Sequence, residues 1–157
     1  MDAQIKEHAK DNTKNLDKYF GLYNQSTRVP IPLKQIRVDT KIDDYIAETT
    51  YSQVYQNEHD TVLETEYFFP ISSTACFHNF RVKYGTVVIE GIVKEKEQAK
   101  KQYQEHLEKG DLVAYAEITE ESYSVMCVKI GNIPPQSEIE IIFAYIERVE
   151  ITLNKFW

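Results

Sequence analysis

Four histidines, two cysteines and 25 acidic residues are the material for chemistry in this 157-residue chain. Their spacing gives them little to do together. No two of His8, His59, His78 and His106 fall at the helical separation that would aim two imidazoles at one metal. Cys76 and His78 alternate along a strand-like run and would offer two ligands on one face. No second pair follows to complete a tetrahedral zinc site, so the run reads as a packed strand. Asp39, Asp43 and Asp44 gather near a turn without the spaced oxygens and bidentate Glu of a calcium loop, which reads as a solvated turn. There is no Gly-x-Ser-x-Gly elbow, and neither cysteine has a basic or helix-start setting that would lower its pKa. The glycines at 21, 85, 91, 110 and 131 stand alone, so no phosphate-cradling loop is formed. Glu64 and Glu66 flank Thr65 and point to one face of a strand. Together with Glu117 they are the acids that a carboxylate-dependent hydrolase or transferase would use; the plainer reading is exposed strand carboxylates. The residues thus indicate no catalytic group, no metal and no cofactor.

The elements that would position these side chains are mostly strands. The length suits one domain plus a tail, large enough to bury a core without covalent staples. Eleven Tyr and seven Phe are an enrichment that suits strands. A net charge of −7 argues against nucleic acid, which requires a Lys/Arg stripe to displace counterions. Two cysteines do not make a disulfide framework, and Cys76 and Cys127 read as buried free thiols rather than a bridge. No apolar run reaches the ~18 residues of a membrane span. The N-terminus lacks the apolar centre of a secretory signal, so the expected compartment is the cytoplasm, with secretion the alternative if Met1 is not the natural start. Asn24-Gln25-Ser26 is a formal glycosylation triplet of a kind that often arises by chance.

Along the chain, residues 1–28 form a polar tail, docked in part from about residue 19. The alternation of Ile36, Val38, Thr40 and Ile42 with Arg37, Asp39 and Lys41 predicts a half-buried strand. Asp43-Asp44 turns it into a second strand with Ala47, Thr49, Tyr51, Gln53 and Tyr55 on one face. Leu63, Thr65, Tyr67 and Phe69 face one way on a third, ended by Pro70. Cys76, His78, Phe80 and Val82 do so on a fourth. Thr86 to Val93 is a strand containing Gly91, where a bulge or close backbone approach is expected. A charged helix follows over about 94–109, with Ala99, Tyr103 and Leu107 as a thin apolar stripe and Gly110 as its stop. Strands are then expected at Leu112–Ile118, around Met126, Val128 and Ile130, and around Ile139, Ile141, Phe143 and Tyr145. The fold class is therefore mainly β: an antiparallel β-sandwich of about eight strands with one inserted charged α-helix. The other face of the last strand carries Ile142, Ala144 and Ile146, apolar enough to require a cover.

Several stretches in series resemble the VIT domain (vault protein inter-alpha-trypsin). They are Val29 to Ile36, the segment Ala47–Asn57 with Gln53, Tyr55 and Asn57, and the strand Leu63–Pro70 ending in Phe-Pro. Gly91, Val93, Lys96, Ala99 and Tyr103, then Gly131 to Pro135, then Phe143 to Glu147 complete the series. The similarity spans roughly residues 20–150. It implies a β-sandwich with one helix, normally placed ahead of a von Willebrand A domain, in proteins that include inter-alpha-trypsin inhibitor heavy chains and the vault poly(ADP-ribose) polymerase. No A domain is present here, so the chain, with its 29–157 domain, is expected to be part of a longer protein. The resemblance carries no catalytic residues, and it makes Gln53 and Asn57 buried hydrogen-bonding amides.

The expected function is a non-catalytic protein-interaction or scaffold module with protein partners, among them a C-terminal von Willebrand A domain. Its candidate contacts are the face at Ile142, Ala144 and Ile146, the end at Phe156 and Trp157, and the helix lysines Lys96, Lys100 and Lys101. The alternatives are the carboxylate enzyme above and an assembly subunit completed by another chain.

Overall fold

A computed structural model of the chain describes residues 20–70, 72, 74–91, 104–118, 125–149, 151–152 and 155–156. Its strands are β1 (Gly21–Asn24), β2 (Leu33–Asp43), β3 (Ile46–Asn57), β4 (Leu63–Pro70), β5 (Cys76–Tyr84) and β6 (Val87–Glu90), then β7 (Val113–Ile118), β8 (Val125–Ile133), β9 (Ser137–Arg148), β10 (Ile151–Thr152) and β11 (Lys155–Phe156). A short helical stretch, α1, occupies 104–108. All pairings are antiparallel. One sheet has the order β1-β4-β8-β7 and the other β2-β3-β9-β5-β6, with β10 and β11 as a separate ribbon.

The period-2 pattern makes the sandwich. On β3, Ala47, Thr49, Gln53, Tyr55 and Asn57 are buried, and on β9 so are Ile139, Ile141 and Phe143. From the opposite sheet Leu22, Leu63, Tyr67, Phe69, Met126, Val128, Ile130 and Ile133 meet them in one cluster. Burying each such side chain contributes roughly 1.5–3 kcal/mol, so this shared face holds the two layers together. The four-stranded sheet is also buried on its far side, where Phe68, Val125 and Cys127 form a second cluster against Tyr23.

Several sequence expectations change. The eight expected strands are β2 to β9; the short β1, β10 and β11 are additional. Of the expected 94–109 helix, residues 104–108 are helical, while 92–103, with Ala99 and Tyr103, lie outside the described residues. The register of β5 shifts between Phe77 and Asn79, so Phe77 and Phe80 face the core while Cys76 faces outward. The extra residue at His78 defeats a strict alternation. The Cys76 thiol is accordingly exposed, whereas Cys127 is buried, and neither is bridged. β6 ends at Glu90, before Gly91. The close approach expected at Gly91 is present: its N–H donates to the Phe80 carbonyl at 2.7 Å, and an added Cβ would lie 3.1 Å from Phe80 Cβ. β2 is not half-buried: all of its residues are exposed.

Asn57 closes one end of the sandwich. Its Nδ2 lies 3.1 Å from the Thr61 carbonyl, 3.3 Å from that of Ile133 and 2.8 Å from that of Pro134. Its Oδ1 accepts the His59 N–H at 3.0 Å. One buried side chain thereby ties the β3–β4 loop to the β8–β9 turn, which needs left-handed backbone at Gln136. Asn57→Ala strands these groups and should cost about 2–4 kcal/mol in urea unfolding; a loss under about 0.5 kcal/mol would show that the loops hold themselves.

Candidate functional site

The interior polar groups are committed to the fold. Gln53 is fully buried on β3, and its Oε1 accepts the Tyr55 hydroxyl at 2.7 Å and the Tyr67 hydroxyl at 3.0 Å. Tyr67 belongs to the opposite sheet, so this bond crosses the sandwich. The Nε2 of Gln53 has no hydrogen-bond partner among the described residues, an arrangement that costs about 1–3 kcal/mol. Around this amide, Tyr67 contacts Phe80 and Phe143, and Tyr51 stacks on Phe143 with centroids 4.8 Å apart. Burial pushes the Tyr67 and Tyr55 hydroxyls well up, and it pushes Tyr145 up to about 12, with Tyr51 and Glu147 adding to the effect.

Two of the candidate catalytic acids, Glu64 and Glu66, are held by the fold. Glu66 is buried rather than exposed, and it pairs with Arg28, a residue held in the left-handed region. Glu64 accepts the Asn132 N–H at 3.0 Å. Glu117 stands opposite Cys127 in the β7–β8 ladder. Two open cavities, of about 330 and 420 Å³, lie near β1; Glu64 is the one acid lining either. Among the described residues no group of three or more His, Cys, Asp or Glu could hold a metal ion.

The outer face of the five-stranded sheet has a different character. Ile142 stands between Ser52 and Arg81, Ala144 between Thr50 and Asn79, and Ile146 between Glu48 and Cys76. Ala144 is buried, and the two isoleucines are half-buried. Charged and polar pairs frame them: His78 with Glu48 at 3.1 Å, Ser52 with Glu140 at 2.5 Å, Lys83 with Glu140 at 3.4 Å and Arg81 with Glu90 at 3.1 Å. Phe156 sits on β11, opposite Ile151. Trp157 and the lysines Lys96, Lys100 and Lys101 lie outside the described residues.

Residues 33–145, most of this body, match the vault protein inter-alpha-trypsin domain. The chain belongs to the VIT family. It is similar to protein mono-ADP-ribosyltransferase PARP4 of Mus musculus, 30% identical over 131 residues, which cover 83% of this chain and 6% of that protein. A von Willebrand factor A domain-containing protein of Dictyostelium discoideum is 29% identical over 125 residues, covering 79% of this chain and 13% of the relative. Von Willebrand factor A domain-containing protein 5A of Mus musculus is 24% identical over 136 residues, covering 87% and 17%. The VIT chain thus spans under a fifth of each of these relatives. Among its described residues no helix is long and apolar enough to cross a membrane.

Sequence reasoning found both amides, Gln53 and Asn57, because the resemblance marked them. It missed Arg28 as the partner of Glu66, since two residues 38 apart carry no local signal. The raised tyrosines give a signed prediction. An unfolded tyrosine titrates near ~10, so the stability these groups contribute is full below that pH and is lost as pH rises from ~10 through the higher folded values. Tyrosinate absorbance should therefore show a late group that ionises only as β circular dichroism collapses, and Tyr67→Phe should shrink it. Ionisation of all the tyrosines near ~10 with the fold intact would contradict this.

Proposed function

We propose that this VIT domain is a non-catalytic docking module that packs against a von Willebrand A domain of the same polypeptide. The observation that carries the proposal is the strip of Ile142, Ala144 and Ile146 on the outer face of β9, rimmed by charged and polar pairs. An apolar centre inside a polar rim is how protein interfaces are built. Two of the relatives above are von Willebrand factor A domain-containing proteins by name, which supports an A domain as the partner. Phe156, Trp157, Lys96, Lys100 and Lys101 are proposed as further contacts of the same kind.

Glu64 and Glu66 support this reading over an enzymatic one, since they are held by Asn132 and Arg28, and of the two Glu64 alone lines an open cavity. The proposal places the protein in the cytoplasm, where the thiols of Cys76 and Cys127 remain unbridged; finding the tagged protein in the secretory pathway would refute that placement.

The test is an NMR titration of the labelled chain with the A domain of von Willebrand factor A domain-containing protein 5A. Amide shifts should map to β3, β5 and β9, and Ile142→Glu/Ile146→Glu should weaken binding about ten-fold or more while preserving the dispersed spectrum. Shifts confined to the four-stranded sheet, or affinity unchanged in the double variant, would refute the assignment.

A further inference from the structure

β2 is an edge strand of eleven residues, far longer than β1, β6 and β7, the other edges of the two sheets. Its partner positions on β3 place Leu33, Ile36, Val38 and Ile42 on the core-facing side, opposite Tyr55, Gln53, Tyr51 and Ala47. The second sheet does not cover them: they are 45%, 47%, 48% and 55% exposed. Long edges are ordinarily protected by a proline, an inward-pointing charge or a covering segment. Between Gln35 and Asp43 the register is regular, no proline occurs, and the inward residues are Ile36, Val38, Thr40 and Ile42.

The outward residues of the same stretch alternate in sign: Arg37, Asp39, Lys41, Asp43. Such a row is complementary to its own reversed copy. In an antiparallel pair of β2 strands centred on Thr40, Asp39 of each copy faces Lys41 of the other, and Arg37 faces Asp43. Centred on Val38, Arg37 faces Asp39 twice. Centred on Asp39, Arg37 would face Lys41 and Asp39 would face itself, so like charges exclude that register. The backbone agrees. Asp43 and Ile46 flank a two-residue turn and form its hydrogen-bonded pair. Odd-numbered residues of β2 therefore bond to β3, and the N–H and C=O groups of Ile36, Val38, Thr40 and Ile42 point outward, free for a new ladder.

We propose that β2 is a self-pairing edge, through which two copies of this chain associate antiparallel about a two-fold axis and join their five-stranded sheets. The two exposed apolar rows merge into one stripe on the core-facing side, and the alternating charges set the register on the other. A two-fold contact of this kind closes on itself, so association stops at the dimer. The surface is separate from the β9 strip proposed for an A domain, so either can fail alone.

Sedimentation equilibrium of the whole chain from about 1 to about 500 µM tests it. The wild type should convert reversibly from monomer to dimer. Asp39→Lys, and separately Arg37→Asp/Lys41→Asp, should each weaken self-association about ten-fold or more. Mixing the two variants should restore a heterodimer, because their residues 37, 39 and 41 are then of opposite sign. Arg37 and Asp39 have exposed side chains, so the variants should keep the wild-type circular dichroism, and the mixture serves as a check that each is folded. A wild type that stays monomeric, one that grows past the dimer, a variant that dimerises as well as wild type, or a mixture no better than its parts would overturn the proposal.

Discussion

Two tyrosine hydroxyls converge on one buried amide oxygen between the sheets, and the sandwich is built around that point. Gln53 comes from the middle of β3 and Tyr67 from the middle of β4, so their hydrogen bond fixes the offset of one sheet over the other. Apolar contact alone tolerates sliding; a directional bond in a dry interior does not, because breaking it strands polar atoms where no water can replace it. The rings of Tyr51, Tyr67, Phe69, Phe80 and Phe143 pack on one another in the same interior, in which Gln53 is fully buried. Asn57, four residues further along the same strand, does the equivalent work at the end of the sandwich.

The fold holds several of the groups that the sequence offered for chemistry. Glu66 is buried against Arg28, Glu64 binds the backbone of the β8–β9 region, and the deep hydroxyls serve Gln53. What the fold leaves open is surface: the half-buried Ile142 and Ile146 on the outer face of β9 and the exposed inner side of β2. A β-sandwich with unmet apolar faces is equipped to hold neighbours, in keeping with a family that recurs in von Willebrand A proteins.

Much of this was legible in the sequence. Alternation placed β2, β3, β4 and β9 and predicted the core face of β3 residue by residue, because a half-buried strand writes its burial into a period of two. It failed where the period breaks or where burial depends on distant packing. The bulge at His78 turned Cys76 outward, and no local residue announces it. β2 has the pattern of a half-buried strand, yet the opposite sheet is too narrow to reach it; sheet width is a property of the assembled fold. Glu66 looked like a surface carboxylate because its cation, Arg28, arrives from the loop after β1. The site was less legible than the fold for the same reason: interface strips are defined by neighbours across strands, such as Ser52 and Arg81 beside Ile142.

Native-state hydrogen exchange measures most directly whether the two sheets form one body through the Gln53–Tyr67 contact. The amides of Gln53, Tyr67, Val128, Ile141 and Phe143 should open with one common free energy, equal to that of global unfolding, and Tyr67→Phe should lower all of them together. If instead the four-stranded sheet opens at a distinctly lower free energy while β3 and β9 stay closed, the sheets are separate units and the account of the amide as their common pin is wrong.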